Sequence, residues 1–469
     1  MKILKRIFSI VVVLLIVMVG LYRLAVLTER KDSQFKYKPF YQQKENFDVL
    51  FMGSSHVING IFPMELWRDY GIVSYNFGGH ANSLAISYWQ MVNAFDYTTP
   101  RLVVIDCYSL SGQLKFFEDD KSYTHLSLDA IPLSINKVRA VRDLLDNKNQ
   151  REFLFDFDIY HNRWKGLGKG DFVVSASKEK GAESRVGVAV PSEFAMIGHE
   201  EKLEEDTVSI AYLRKMISYC QEKGIDVLLI YLPFPAGKTS QKEANTVFDI
   251  AEEYNVHYLD FSTLRSLVNF DTDCYDKASH LNPSGGRKVT AYIGEYIMKH
   301  YDINDQRNNT AYKEWYEAYE TYVEYKTDTI KNQKSLKTHL MLLNDKEFSF
   351  SIYIKDTESF LDDVIIRKLL ENVGIDINKI LKEKDALITV DHLGDQVIYS
   401  KSSESQETSF GQIGILEEEN KHNICVAGNT KLEMESQDEV GIIVFSHENF
   451  KSVAMNRFKR MDVEYNVVK

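Results

Sequence analysis

The chain has 469 residues, enough for two or three domains, and its 26% charged and 44% hydrophobic residues suit well-formed cores. A formal net charge of -12 argues against a nucleic-acid-binding role, because a phosphate backbone needs a basic face. Four widely spaced cysteines, Cys107, Cys220, Cys274 and Cys425, contain no CxxC pair; they suggest neither a zinc site nor a disulfide framework and read as mostly buried thiols.

Met1 to Leu27 is the clearest targeting signal. Lys2, Lys5 and Arg6 precede an apolar run from Ile7 to Tyr22. At a helical rise that run covers about 24 Å, and about 31 Å if continued to Leu27, enough to span a bilayer. Arg23 then falls where it can snorkel to the interface. No small-x-small cleavage site follows, so the segment reads as an uncleaved single-pass anchor rather than a removed signal peptide. Basic residues flank both sides, so their count alone does not orient it. Residues 28–45 are polar and read as a stalk.

An α/β pattern begins at residue 46. A buried strand, Phe47–Met52, runs into the turn Gly53-Ser54-Ser55-His56. Then come a helix over Pro63–Tyr70, a strand over Ile72–Phe77, the turn Gly78–Asn82, a helix over Ser83–Phe95 and the strand Leu102–Cys107. This alternation predicts an α/β fold, a doubly wound parallel sheet in three layers. Residues 109–205 break the pattern and read as an insertion at the carboxyl edge of the sheet, with a helix over Ile135–Leu145 and an aromatic cluster over Phe153–Trp164. His125, His161, Arg163 and Trp164 are candidates for contacting a sugar or phosphate-bearing polymer; plain packing of Trp164 and solvation of Arg163 is the alternative. The alternation resumes with helix Asp206–Glu222, strand Asp226–Leu232, helix Gln241–Tyr254, strand Val256–Phe261 and a last helix, Gly286–Tyr301, closing the unit at residue 302. Residues 303–343 have aromatics at spacings of three and four and read as a connecting helix. Residues 344–469 form a mixed α/β accessory unit, with strands at Phe348–Ile354, Ala386–Val390, Gln396–Ser400 and Gly441–Phe445 and a helix near Ile365–Val373.

Ligands of open α/β sheets bind at the carboxyl ends of the strands, which places Ser54, Ser55 and His56 for chemistry. A serine nucleophile needs a base, and the base needs an acid to hold its tautomer. Asp273 to Gly286, DCYDKASHLNPSGG, supplies both in one loop ahead of a helix, with His280 as base.

Together the two stretches resemble the SGNH (GDSL-like) hydrolase superfamily, with its flavodoxin-like sheet, and most closely its membrane-anchored branch of DltD-like and polysaccharide O-acetylation proteins. GSSH fits the family's first block, with Ser55 at the position of the serine and Ser54 in place of an aspartate. Ser279 to Thr290 looks like the terminal block. The acid is Asp276, four residues before His280 where the family has three, or Asp273 folding back; Lys277 holds the family position. The glycine that supplies an oxyanion donor after the second strand matches Gly79, with Asn82 as a side-chain donor or else a helix N-cap. The G-x-N-D block has no counterpart; Ile105-Asp106-Cys107-Tyr108 stands in its place. His56 joins His161, Arg163 and Trp164 as a substrate-lining candidate. Insertions in this branch cover the active site. The resemblance implies a serine esterase or O-acyltransferase in the cell membrane with its body extracytoplasmic. It would act on an envelope polysaccharide or teichoic acid through an acyl-serine, without metal or organic cofactor. In some relatives a membrane-bound O-acyltransferase delivers the acyl group. The alternative is a non-catalytic envelope assembly protein that binds polymer and keeps the fold.

Overall fold

The computed structural model describes residues 2–31, 36–42, 46–117, 121–155, 157–172, 177–191, 198–235, 237–277, 280–401, 403–418, 421–427, 430–447, 451–461 and 464–468. Parts of the expected stalk (32–35 and 43–45), parts of the insertion, and Ser279 of the terminal block lie outside the described residues.

Helix α1 (Lys2–Thr28) is continuous, and from Lys5 to Thr28 it is long and apolar enough to cross a membrane. The stretch after it is not a free stalk. Tyr37 and Phe40 are buried: Phe40 packs on Phe47, Tyr75 and Phe77, and Tyr37 Oη donates to the Gly78 carbonyl at 2.8 Å. The polar composition of residues 28–45 hid these two aromatic anchors, each of which gains from burial whatever its neighbours are.

Five parallel strands follow: β1 (Val49–Met52), β2 (Ser74–Asn76), β3 (Leu102–Asp106), β4 (Asp226–Tyr231) and β5 (His257–Asp260), in the order β2-β1-β3-β4-β5. Side-chain alternation divides the strands between two cores. Val49, Phe51, Leu102, Val104, Leu228 and Ile230 face one side, with residues of α2 (Ser55–Gly60), α3 (Pro63–Tyr70) and α7 (Pro283–His300). Leu50, Met52, Val103, Ile105, Val227 and Leu229 face the other, with α4 (Leu84–Ala94), α5 (Val208–Glu222) and α6 (Lys238–Tyr254). Both faces are covered, which is why these strands read as unbroken apolar runs rather than as alternating ones. The order changes direction between β1 and β3, and the crevice at their carboxyl ends is the place where such sheets bind ligands.

Helix α8 (Lys313–Lys331) buries Trp315, Tyr322, Lys326 and Ile330 and leads into an antiparallel region. There β6 (Phe348–Ile354) and Val440–Ser446 lie in the middle of a six-stranded sheet, flanked by β7 (Ala386–Asp391) and Gln396–Ser400 on one side and by Ser452–Met461 and Glu464–Val467 on the other. One face carries the helices Leu336–Leu342 and Val364–Asn372; the other packs on a four-stranded sheet through Tyr353, Leu387, Ile424 and Phe445. The two halves meet at a buried ionic cluster. Asp345 lies 2.9 Å from Lys326 Nζ, 3.3 Å from Arg68 and 3.5 Å from Arg287, and Glu65 lies 2.6 Å from Arg68. Burial opposes ionisation of Asp345, yet the charges of Lys326, Arg287 and Arg68 hold it far below the usual carboxylate range.

Candidate active site

The serine side is built by the exit from β1. A Cβ on Gly53 would sit 2.6 Å from Val57 and 2.9 Å from Asp106 Cβ, so the chain can pass under this turn only as glycine. Ser54 takes the N-cap of α2, with extended backbone and its Oγ accepting the His56 N–H at 3.4 Å. The cap occupies Ser54 and leaves Ser55, the first residue of α2, half-buried at the carboxyl end of the sheet.

The histidine side is a loop closed just ahead of α7. Cys274 pairs with Leu281, and the Tyr275 N–H donates to the His280 carbonyl at 3.0 Å. Asn282 caps α7 by accepting from Ser284 and Gly285, while its Nδ2 donates to the Thr272 carbonyl at 2.8 Å and the Gly187 carbonyl at 3.0 Å. Inside the loop, Asp276 Oδ1 accepts the His280 backbone N–H at 3.1 Å and Oδ2 meets His280 Nδ1 at 2.9 Å. His280 Nε2 lies 2.8 Å from Ser55 Oγ. The four-residue spacing closes because one carboxylate holds both the backbone and the ring of His280. Asp273 is committed elsewhere: it is fully buried, 2.7 Å from Lys288 Nζ, and accepts from Ser284 Oγ at 2.9 Å.

With Nδ1–H donated to Asp276, the Nε2 lone pair faces the Ser55 hydroxyl, the tautomer a general base needs. His56 is the second imidazole nearby. Burial, then the neighbouring His280, pushes it down to about 3, so it is uncharged at neutral pH. Its ring stands edge-on to His280 at 5.4 Å and packs against Tyr108 at 4.1 Å and Phe234 at 5.0 Å. His56 is therefore a neutral wall of the site. Tyr275 stacks on His280 at 5.7 Å; burial, then the charge of Asp276, pushes its phenol up to about 12. Asp106 lies against Gly53 at the end of β3, and burial raises it to about 7.

The expected oxyanion donors are engaged. The Gly79 N–H donates to the Gly53 carbonyl at 3.0 Å. Asn82 is buried; its Nδ2 donates to Gln90 Oε1 at 2.9 Å and its Oδ1 accepts from Ser127 Oγ at 2.6 Å. Nor does Asn82 cap the next helix, since Ser83 does so through the Ile86 N–H. The turn spends these groups on its own architecture, joining β1, β2 and the insertion. The Ser55 backbone N–H, in the first turn of α2, belongs to the donors that a helix leaves without an intrahelical acceptor.

The four remaining candidates lie apart from Ser55, His280 and Asp276. Arg163 Nη1 donates to the carbonyls of Thr28 and Glu29 at the end of α1, and Nη2 pairs with Asp171 at 2.7 Å. His161 Nδ1 lies 3.0 Å from the Asp158 carbonyl, and Trp164 is 59% exposed beside Lys165. His125 is a core residue, bound to Asp129 at 3.0 Å and stacked on Phe153 at 3.7 Å. A different part of the insertion reaches the site. Its return arm donates from the Glu183 N–H to the Ile58 carbonyl at 3.1 Å and from the Ala189 N–H to the Cys274 carbonyl at 3.0 Å, tying α2 to the histidine loop. Tyr108, Phe234 and Tyr275 were not singled out from sequence. Tyr108 follows β3 and Phe234 follows β4, so the rule that found Ser55, function at the carboxyl ends of strands, applies to them too. Against protein-family models the chain finds no match, and against curated proteins none either.

Proposed function

We propose that this chain is a serine esterase or O-acyltransferase with Ser55 as nucleophile, His280 as general base and Asp276 as the group that orients His280. One observation carries the reading: the Ser55–His280–Asp276 relay at 2.8 and 2.9 Å, at the carboxyl end of a parallel sheet and open to solvent on one side. Ser55 Oγ attacks an ester carbonyl while its proton passes to His280 Nε2, and Asp276 stabilises the imidazolium. The tetrahedral adduct then collapses, the alcohol leaves with the proton from His280, and an acyl-serine remains. Water or an acceptor hydroxyl, deprotonated by His280, completes hydrolysis or transfer. The SGNH-like motifs support an envelope polysaccharide or teichoic acid as substrate, and a membrane-bound O-acyltransferase as the partner in transfer. They and the apolar helix α1 support a single-pass anchor with an extracytoplasmic body.

A fluorophosphonate probe on the full-length protein tests the reading. The label is expected on Ser55, mapped by peptide mass, and absent from Ser55→Ala. A second reading, a polymer-binding assembly protein without turnover, is favoured by the engagement of Gly79 and Asn82 within the fold. Absence of both label and ester turnover in folded protein would select it.

A further inference from the structure

Residues 157–172 form a collar of short helical turns around the end of α1, with Phe155 close before it in sequence. Its segments Phe157–Tyr160, His161–Gly166 and Lys169–Phe172 pack against that helix. Arg163 takes the last carbonyls of α1, Thr28 and Glu29, and Thr28 is fully buried by the junction. Arg30, just beyond, donates to the Ser122 carbonyl at 2.6 Å. The collar is thus fixed to α1 rather than hanging beside it. Yet its outer side presents Trp164 and Phe172, exposed by 59% and 68%, with Ile159 at 38% and Phe155, just before it, at 58%. Single exposed apolar residues need no explanation, but four in one short segment do.

We propose that the collar is a second membrane contact and rests in the headgroup layer of the bilayer that α1 crosses. The occupant follows from continuity. The most apolar 18-residue stretch of α1 is not buried by the body of the protein, which meets the helix at its last turns; lipid is therefore the medium that satisfies that stretch, and lipid reaching the last turns also reaches the collar that grips them. Composition agrees. Tryptophan and phenylalanine beside lysines suit the interface, where rings sit at headgroup level and cations meet phosphates; here Lys165 lies 5.8 Å from the Trp164 ring, and Lys169 is also exposed. The contact has a consequence for the site. Arg30, just beyond the end of α1, holds Ser122, and the neighbouring Tyr123 lies 6.0 Å from the ring of His80, so the membrane end of α1 is linked to the Gly78–Asn82 turn, which is itself bonded to Gly53.

The inference rests on α1 spanning the membrane and is independent of the serine chemistry. Full-length protein is reconstituted in phosphatidylcholine–phosphatidylglycerol vesicles, with and without acyl chains brominated near the headgroup. Of the four tryptophans, Trp67 and Trp315 are buried and Trp89 is held by Asp143, which leaves Trp164 as the reporter. Bromine is expected to quench part of the emission of wild type, and Trp164→Phe is expected to lose that quenching. Flotation on the same samples separates the two ideas. Protein that floats with quenching absent, or unchanged in Trp164→Phe, overturns the collar while α1 stands. Protein that fails to float overturns both.

Discussion

Two serine–histidine contacts of nearly equal length occur in the two halves of this molecule, and only one has the surroundings for chemistry. Ser55 Oγ lies 2.8 Å from His280 Nε2, and Ser349 Oγ lies 3.0 Å from His447 Nε2. Ser349 sits inside β6, fully buried, and already accepts the His392 N–H at 2.9 Å. Among the described residues no carboxylate is bound to His447, and burial lowers its basicity. Ser55 instead sits on a turn, half-exposed, with an imidazole whose far nitrogen is held by Asp276. The pair distance is common to both; the strand end, the exposure and the third group differ. A strand interior fixes a serine so that its hydroxyl serves the sheet, whereas a strand-to-helix turn lifts it out of the ladder.

The sharpest way to break this comparison is to remove each serine. Ser55→Ala is expected to abolish turnover of a small acetyl ester, a loss of about 10⁶ where a triad acts as a unit. Ser349→Ala is expected to leave turnover unchanged and to cost stability of about 1 kcal/mol, the worth of an ordinary hydrogen bond. Equal effects of the two substitutions would erase the distinction.

Next in size is the acid. Asp276→Asn should reduce turnover by about 10⁴, because His280 loses the partner that holds its tautomer. Asp273→Asn should leave turnover per folded molecule within a few-fold, since that carboxylate holds Lys288 and Ser284. A reversed order would mean that the loop closes on the other aspartate during reaction.

The junction between the halves supplies the third test. Asp345→Ala removes the carboxylate that Arg68, Lys326 and Arg287 share, leaving Glu65 as the buried acid beside Arg68 and Lys326. Breaking such a buried cluster from one side costs about 3–5 kcal/mol. Urea denaturation of the detergent-solubilised protein should show this loss, and a change within the error of the midpoint would mean that the cluster relaxes into water.

Much of this was legible in the sequence where local rules apply. Unbroken apolar runs ending in Gly or Asp gave the strands, and the helix at Pro63–Tyr70 begins at its proline and ends before Gly71, as such helices do. Ser55 and His280 were legible because a strand end and a helix start mark them. The choice between Asp276 and Asp273 was not, since it depends on which carboxylate the loop turns toward the backbone N–H and ring of His280. Nor was the engagement of Gly79 and Asn82: their partners, Gly53, Gln90 and Ser127, come from three separate segments. Arg163 and Trp164 had the composition of a sugar site, but their place is set by the packing of the insertion on α1, which no local pattern encodes.

The smallest effect sharpens the comparison through a second matched pair, the two buried imidazoles His56 and His339. Each is buried, one beside the site and one between Leu336–Leu342 and the six-stranded sheet, against Phe458 at 5.4 Å. Burial pushes His339 down to about 3, as it does His56. The folded chain therefore stays unprotonated over a range where the unfolded chain, with a histidine near its usual 6.5, takes up a proton. The unfolded state binds more protons there, so stability falls as pH drops from about 6.5 towards 3, by about 1.4 kcal/mol per unit for each such group. Two buried carboxyls, Asp106 and Glu179, work the other way, since burial raises both to about 7 and stability then falls as pH rises from about 4 to 7. These opposing slopes mask the histidines in the wild type alone, but they cancel in the difference between wild type and His339→Leu. Wild type should lose about 2 kcal/mol more than the variant between pH 7 and 5, read from urea midpoints at each pH. Parallel curves would mean that His339 is reached by water and titrates alike in both states. His56 then supplies the contrast: His56→Phe should flatten the acid slope in the same way, and because a neutral ring is replaced by a neutral ring against Tyr108 and Phe234, it should leave ester turnover within a few-fold of wild type.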